Sequence, residues 1–388
     1  MGTESTDRST LPALMTAAVW NGTSPDLVLE EIPVPTPQAE EALVAITACG
    51  VCHTDLHVMK GEVAFPGPGV LGHEVSGTIV SFGVGTDDTH GLSVGSRVVG
   101  AFIMPCTTCD ACLRGRDDVC ETFFSENRLK GNLYDGTSRL SRQDGSRLSM
   151  YSMGGLAEYS VVPISALTIV PDDLPLASAA VLGCAAFTAY GAVAKSEIQA
   201  GDSMAVVATG GVGSSLIQVA KYLGVSPIIA IDVNDAKLEA ARQLGADVVI
   251  NSTTTAVVAA VHEATGGKGV HVAFEALGRP QTFELAVSLL REGGRMIAVG
   301  IAAGNATAAV PITPLVRRGQ TVMGSFGART RRDLPLVVEM AESGGYDLGR
   351  AVSRSYPLAS VTEAYAALER GEISGRAIVT MPRAEAST

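Results

Sequence analysis

Charge and aromatic surface are both scarce in this 388-residue chain: 18% of residues are charged, 5% are aromatic, and tryptophan occurs once. What charge there is leans acidic, with 40 Asp and Glu against 28 Lys and Arg, a net of −12, and no basic block occurs anywhere. A polyanionic partner is therefore not expected, and nucleic-acid binding is excluded. Residues 1–14 mix polar, acidic and basic side chains without the apolar core a secretory signal needs, so they read as a disordered extension. There is no internal repeat. One uncharged run, Leu176 to Ala194, reaches the length of a membrane span. It is mostly Ala, Gly, Ser, Thr and Tyr and contains Gly183, Cys184 and Gly191, so it reads as a buried helical stretch with a functional interruption. No membrane partner is expected.

Apolar residues, by contrast, make up 46% of the chain, ample for large cores, and the length predicts two or three domains. The 43 glycines follow no collagen period and suggest the many tight turns of an α/β protein. From Ala17 to about Pro175 the pattern is one of short strands and loops, with strands at Leu43 to Ile46, Val75 to Val80 and Ser96 to Gly100. From about residue 196 to 325, strands and helices alternate. Strands are expected at Met204 to Val207, Ile228 to Ile231, Val248 to Ile250, Val270 to Phe274 and Arg295 to Val299. Helices are expected at Val212 to Tyr222 and Ala236 to Leu244. Repeated βα units of this kind build a parallel, doubly wound sheet. After Phe326 the pattern is mixed again, with helices near Leu334 to Glu342 and Val361 to Arg370. The expected partition is a catalytic domain split between residues 15–183 and 326–388, with a dinucleotide-binding domain, residues 184–325, inserted in it.

Seven cysteines lie at positions 49, 52, 106, 109, 112, 120 and 184. An odd number in a long chain argues against a disulfide framework and for a reducing, cytoplasmic setting. Four of them, Cys106, Cys109, Cys112 and Cys120, fall within fifteen residues on a loop of small and polar side chains. Four soft thiolates suit a tetrahedral Zn²⁺ with no free position, a closed site that serves folding and does no chemistry. An iron–sulfur cluster is the rival, but ferredoxin runs place proline after the fourth cysteine, and here Glu121 follows Cys120. A loop without metal is the third possibility.

A second constellation is more dispersed. Cys52-His53-Thr54-Asp55 with His57, then His73-Glu74, then Cys184 offer two thiolates and an imidazole. Two cysteines and a histidine, with water as fourth ligand, form one known type of catalytic zinc site. Asp55 could accept the hydrogen bond of the His73 ring and fix its tautomer, with Glu74 in a similar outer role. Taken singly, His73 or Cys184 is more often a buried structural residue. After the strand Met204 to Val207 comes Ala208-Thr209-Gly210-Gly211-Val212-Gly213 and then a helix, the arrangement that seats a pyrophosphate on a helix N-terminus. Ala208 stands where the first fingerprint glycine is expected. Asp232 ends the next strand, where a carboxylate holds a ribose 2′-hydroxyl and repels a 2′-phosphate, so NAD is preferred over NADP.

Together these residues resemble the zinc-dependent alcohol dehydrogenases of the medium-chain dehydrogenase/reductase family, over about Ala17 to Met381. The resemblance implies a mostly-β GroES-like catalytic domain split around a Rossmann domain, two zinc ions per chain, and NAD. It implies that Cys52, His73 and Cys184 ligate the catalytic zinc and Cys106, Cys109, Cys112 and Cys120 the structural one. Thr54 and His57 match proton-relay positions. His53 and Arg376 match positions near the pyrophosphate, Asp232 and Lys237 those at the adenosine ribose, and Thr188 one beside the nicotinamide. The implied reaction exchanges hydride between a primary alcohol or aldehyde and NAD.

The segment Leu129 to Tyr151, with Asp135-Gly136-Thr137-Ser138-Arg139, resembles the longer loop of liver-type and thiol-dependent formaldehyde dehydrogenases, and such relatives imply a homodimer. The formaldehyde–thiol branch carries an acid where Val63 aligns and an arginine where Phe124 aligns, and both absences disfavour a glutathione adduct. Phe102, Leu156 and Ile301 fall at pocket-lining positions, so an apolar or aromatic alcohol fits better. The alternatives are a thiol-dependent formaldehyde dehydrogenase and a non-catalytic protein that binds zinc and NAD. Cys49 is expected to be a small core residue.

Overall fold

The computed structural model describes residues 11–302 and 304–382. Residues 1–10, most of the expected extension, lie outside them. Leu14, the last residue of the expected extension, instead opens the strand Leu14–Trp20, whose Met15, Ala17, Ala18 and Val19 are buried in the core.

Three sheets organise the described residues. Two of them, five- and seven-stranded, form the β-rich part that carries the cysteine loop. In the seven-stranded sheet the long strand Glu41–Val51 pairs with Val75–Phe82 on one side. On the other it takes Arg376–Thr380, with Ala377 opposite Val51 and Thr380 opposite Ala48. Among the described residues the last strand therefore completes a sheet begun near the N-terminus, and one stretch between, residues 204–324, leaves that sheet to build another.

The third sheet is built there. Its six strands run parallel in the order Val248–Asn251, Ile228–Asp232, Met204–Val207, Val270–Glu275, Leu290–Ala298, Thr321–Gly324. Because successive side chains point to opposite faces, a strand covered on both sides must be apolar throughout. Met204 and Val206 enter one apolar cluster, and Ala205 and Val207 the other. The strand order reverses between Met204–Val207 and Val270–Glu275, and the crevice at such a reversal is where ligands bind in doubly wound sheets. The glycine turn at residues 208–213 opens into it.

Two local features bear on the site. The uncharged run folds as Leu176–Ala179, a 3₁₀ turn Ala180–Gly183, and the helix Ala185–Ser196, with the halves bent by 41° at Cys184. No single helix among the described residues is long and apolar enough to cross a membrane. The break is held from outside: Phe102 N–H donates to the Gly183 carbonyl at 3.0 Å, and a Cβ on Gly183 would lie 2.0 Å from the Gly100 oxygen. Ala208, in the glycine turn, sits at φ +74°. A left-handed conformation costs a residue with a Cβ about 1–2 kcal/mol. Ala208→Gly is therefore expected to raise stability by up to about 1 kcal/mol, after the larger entropy of an unfolded glycine is deducted. Urea unfolding of the two proteins measures it; equal midpoints would mean the turn bears no strain.

Candidate active site

Cys52 sits at the N-terminal end of the helix His53–Met59, directly after the strand Glu41–Val51. His73 and Glu74 lie in the short link between the strands Gly69–Val70 and Val75–Phe82. Cys184 lies at the helix break. Three separate segments thus converge, and one ligand atom from each of Cys52, His73, Glu74 and Cys184 lies within 4.8 Å of all the others. All four residues are buried. His73 Nδ1–H donates to Asp55 Oδ1 at 3.1 Å, which leaves Nε2 as the free lone pair facing the sulfurs. Asp55 is fixed in turn: Gly72 N–H donates to Oδ1 at 3.2 Å and the Tyr365 hydroxyl to Oδ2 at 2.9 Å.

The charges here depend on one another. Burial alone would keep the His73 ring neutral, but Asp55 and Cys52 outweigh it and raise the ring to about 9. The Cys184 thiol donates to Cys52, and with Arg376 and His73 this holds the Cys52 thiol well below its usual value despite burial. The same hydrogen bond, with burial, pushes Cys184 up. A compact pocket holding two sulfurs and an imidazole, one sulfur already inclined to be thiolate, suits a divalent ion whose binding releases the remaining protons. Glu74 contributes more than an outer role would require. It lies in the donor group, its Oε1 contacts the Arg376 guanidinium, and its buried Oε2 has no hydrogen-bond partner. Gly50 makes room for it, since a Cβ there would fall 2.2 Å from Glu74 Oε2.

On the helix His53–Met59, Thr54 Oγ1 approaches Cys52 Sγ at 3.5 Å. His57, three residues further and so on the same face, is half-exposed and pairs with Glu62. His53 is exposed. Thr188 is buried one turn beyond Cys184, with its N–H donating to the Cys184 carbonyl at 2.8 Å.

At the glycine turn, Gly210 precedes the helix Gly211–Tyr222, which includes Val212 and Gly213. Gly213 must be glycine, because a Cβ would lie 2.0 Å from the Ala208 oxygen. A Cβ on Gly211 would lie 2.7 Å from Arg376 Nη1. Arg376 is buried; its Nη2 faces Glu74 Oε1, and its Nε has no hydrogen-bond partner. A buried guanidinium with an unpaired Nε, beside a glycine turn and a helix N-terminus, fits a diphosphate. Asp232 has a structural task that the sequence did not reveal. Oδ2 accepts from Thr209 N–H and Oγ1–H, and Oδ1 accepts from Val233 and Asn234 N–H, so this carboxylate ties the strand end to the turn. Lys237 and Thr209 line a small cleft beside it.

The four remaining ligand candidates, Cys106, Cys109, Cys112 and Cys120, form a second group within 4.8 Å. Backbone N–H groups already point at the sulfurs: Cys106 N to Cys120 Sγ at 3.3 Å, Cys109 N to Cys106 Sγ at 3.3 Å, Phe123 N to Cys120 Sγ at 3.4 Å. Burial opposes ionisation of Cys106, yet Thr122, Thr108 and the Cys109 N–H bring it down to about 6. Arg331 fastens this loop from the helix Thr330–Glu342, donating from Nη2 to Asp117 Oδ1 and to the Cys112 carbonyl, each at 2.7 Å. Cys49 is fully buried and belongs to neither group.

The substrate-pocket residues are less coherent. The Phe102 ring lies 6.1 Å from the His73 ring. Leu156 is fully buried against Gly72, Val63 is on the turn after the helix His53–Met59, and Ile301 is 46% exposed beyond the strand Leu290–Ala298. Aromatic side chains that sequence reasoning passed over gather at His73 instead. Tyr151 lies 5.9 Å from it, Phe65 packs on Tyr151 at 4.9 Å, and Phe326 packs on Phe102 at 5.2 Å. These residues, like Tyr365 and Arg331, had no spacing signal.

A doubly wound nucleotide sheet, a cysteine-rich donor pocket joined to its glycine turn through Arg376, and a four-cysteine loop define an NAD-dependent zinc oxidoreductase. Residues 38–172 match the alcohol dehydrogenase GroES-like domain, and residues 211–343 the zinc-binding dehydrogenase domain. The chain is 32% identical over 371 residues to an alcohol dehydrogenase of Geobacillus stearothermophilus, spanning 95% of this chain and 99% of that one. It is 32% identical over 365 residues to a probable S-(hydroxymethyl)glutathione dehydrogenase 1 of Schizosaccharomyces pombe, spanning 92% and 94%. The solved benzyl alcohol dehydrogenase of Acinetobacter calcoaceticus superposes with a TM-score of 0.88 at 30% identity, over 95% and 99% of the two chains. The chain belongs to the zinc-dependent alcohol dehydrogenases of the medium-chain dehydrogenase/reductase family.

Proposed function

We propose that the protein interconverts a primary alcohol of apolar or aromatic body and its aldehyde, with NAD as hydride acceptor or donor. The observation that carries this reading is the pairing of Phe102 and Tyr151 around His73, beside a donor set of two sulfurs and an imidazole. The likeness to a benzyl alcohol dehydrogenase supports the aromatic preference. When bound, zinc supplies the Lewis acidity that lowers the pKa of a hydroxyl group, and NAD the hydride chemistry. Cys52, His73 and Cys184 hold the catalytic ion, and Cys106, Cys109, Cys112 and Cys120 the structural one. Asp55, braced by Tyr365, keeps the His73 ring in the ligating tautomer, and Glu74 balances Arg376.

Thr54 receives the alcohol proton close to Cys52, and His57, with Glu62 at its side, releases it near the surface. The Gly210, Gly211, Val212 and Gly213 turn, Arg376 and His53 receive the diphosphate, Asp232 and Lys237 the adenosine ribose, and Thr188 the nicotinamide side. The unpaired edge strand Thr321–Gly324, beside a helix exposing Ile312 and Val316, supports a homodimer. Cytoplasmic location remains part of this reading, on the free cysteines.

Spectrophotometric turnover of NAD⁺ and NADP⁺ with aliphatic, aromatic and thiol-adduct substrates tests the proposal, and no reduced cofactor with any alcohol would end it. A second reading, thiol-dependent formaldehyde oxidation, is favoured by the likeness to the probable S-(hydroxymethyl)glutathione dehydrogenase. It predicts activity on formaldehyde only when a thiol is added. Asp232→Ser is expected to weaken NAD by roughly ten- to a hundredfold, through loss of a charged hydrogen bond of about 1.5–3 kcal/mol, and to relax discrimination against NADP. Fluorescence titration with both reduced cofactors measures it; unaltered preference would show that another residue reads the ribose.

A further inference from the structure

We infer that Arg128 anchors a negatively charged group, a carboxylate, at the end of the substrate distant from the reacting hydroxyl. The inference rests on the alcohol-oxidising reading above and adds the chemical class of the substrate. Arg128 ends the helical turn Phe123–Arg128 that follows the cysteine loop. Its guanidinium carbon lies 4.2 Å from the centre of the Tyr151 ring, 5.7 Å from Phe123 and 5.9 Å from Phe102. Tyr151 and Phe102 are the two rings that flank His73, at 5.9 and 6.1 Å. The cation and the metal-binding imidazole therefore border the same pair of rings.

Among the described residues the cation has no counter-ion. Its Nη1 is buried without a hydrogen-bond partner, and among the described residues no carboxylate lies within ion-pairing distance of it. Glu126 and Asp135, on either side of Arg128 in sequence, are already committed, to Lys130 at 2.7 Å and to Arg139 at 3.1 Å. Aromatic faces stabilise a guanidinium in part, but a buried N–H donor left unpaired is unfavourable. A carboxylate accepting from the guanidinium removes that deficit, with the fork geometry that arginine offers. The ring cluster would hold the apolar body between hydroxyl and carboxylate. A site built to pair a charged group rejects an analogue without it, because the site's own polar atom is then stranded. Phe124, where the formaldehyde–thiol branch carries its arginine, packs on Phe326 at 5.5 Å, so the cation here enters from a different position.

The test compares 4-(hydroxymethyl)benzoate with the neutral 4-methylbenzyl alcohol, for wild type, Arg128→Met and Arg128→Lys. Zinc content and NADH affinity verify that each variant is folded and loaded. Wild type is expected to favour the carboxylate by at least about tenfold in kcat/KM. Arg128→Met is expected to lose that preference through KM while keeping or improving turnover of the neutral alcohol, with Arg128→Lys in between. A parallel pair, formaldehyde with glutathione and formaldehyde with a neutral thiol, shows whether the carboxylate arrives on a peptide thiol instead. No Arg128-dependent preference in either pair, or an equal loss on charged and neutral substrates in Arg128→Met, overturns the inference and leaves Arg128 a packing residue. Should neither alcohol be oxidised, the underlying reading fails. Calorimetric affinity of the NAD-bound enzyme for 4-(hydroxymethyl)benzoate then decides separately: affinity lost in Arg128→Met supports the anchor, and unchanged affinity overturns it.

Discussion

Replacing His73 by alanine is expected to lower kcat/KM by about a thousandfold or more and to reduce bound zinc from two ions per chain to one. Lewis-acid activation of the hydroxyl contributes several kcal/mol, and each 1.36 kcal/mol is a factor of ten in rate. The imidazole is the only nitrogen in the donor set; without it the pocket offers two sulfurs and a carboxylate already engaged with Arg376. The substitution also strands Asp55, which keeps only the Gly72 N–H and the Tyr365 hydroxyl, so about 1–3 kcal/mol of stability is lost locally. Cofactor binding should survive, because the glycine turn and Asp232 belong to the six-stranded sheet and share no hydrogen bond with His73. Metal analysis, NADH titration and steady-state kinetics on one preparation separate these effects. Retained turnover would remove His73, and with it the proposed metal centre, from the reaction.

Cys112→Ser is expected to act on stability instead, by upwards of about 4 kcal/mol, since loss of a structural metal is among the few single changes that large. The loop from Cys106 to Cys120 has little apolar packing of its own. It holds its shape through N–H donors aimed at sulfur and through Arg331, which grips both Asp117 and the Cys112 carbonyl. With a serine in the set, the remaining thiolates repel one another around a site that no longer completes a tetrahedron of sulfur. The variant should carry about one zinc per chain, melt well below the parent and be cut by protease within residues 106–120. Two zinc ions and an unchanged melting curve would show that these cysteines serve no metal.

Much of this architecture was legible locally. The helix expected at Val212 to Tyr222 is observed as Gly211–Tyr222, and the strand expected at Ile228 to Ile231 as Ile228–Asp232. Such elements announce themselves because apolar periodicity and glycine punctuation are properties of a single segment. The four clustered cysteines were legible for the same reason, as ligands contributed by one loop. Cys184 was harder. It was picked out as an interruption in an uncharged run, but the bend there depends on Gly183 lying against Gly100 and Phe102, contacts from another part of the chain. The surroundings of His73 were least legible: Tyr151 beside its ring and Phe65 behind Tyr151 carried no spacing signal, because ring contacts between distant segments leave no local pattern.

The sequence alone determined the chemistry on offer: two sets of soft ligands, a phosphate-seating turn, an acid at the end of the following strand, and a parallel sheet to carry them. Only the tertiary structure decided which groups meet. It brought Tyr365 to Asp55, Arg331 to the cysteine loop, Arg376 to both Glu74 and Gly211, and an unpaired Arg128 to the rings beside His73. The physical reason is range. Periodicity and capping act over a few residues, while these partners are brought together by strand pairing and core burial between distant segments, whose register no local pattern encodes.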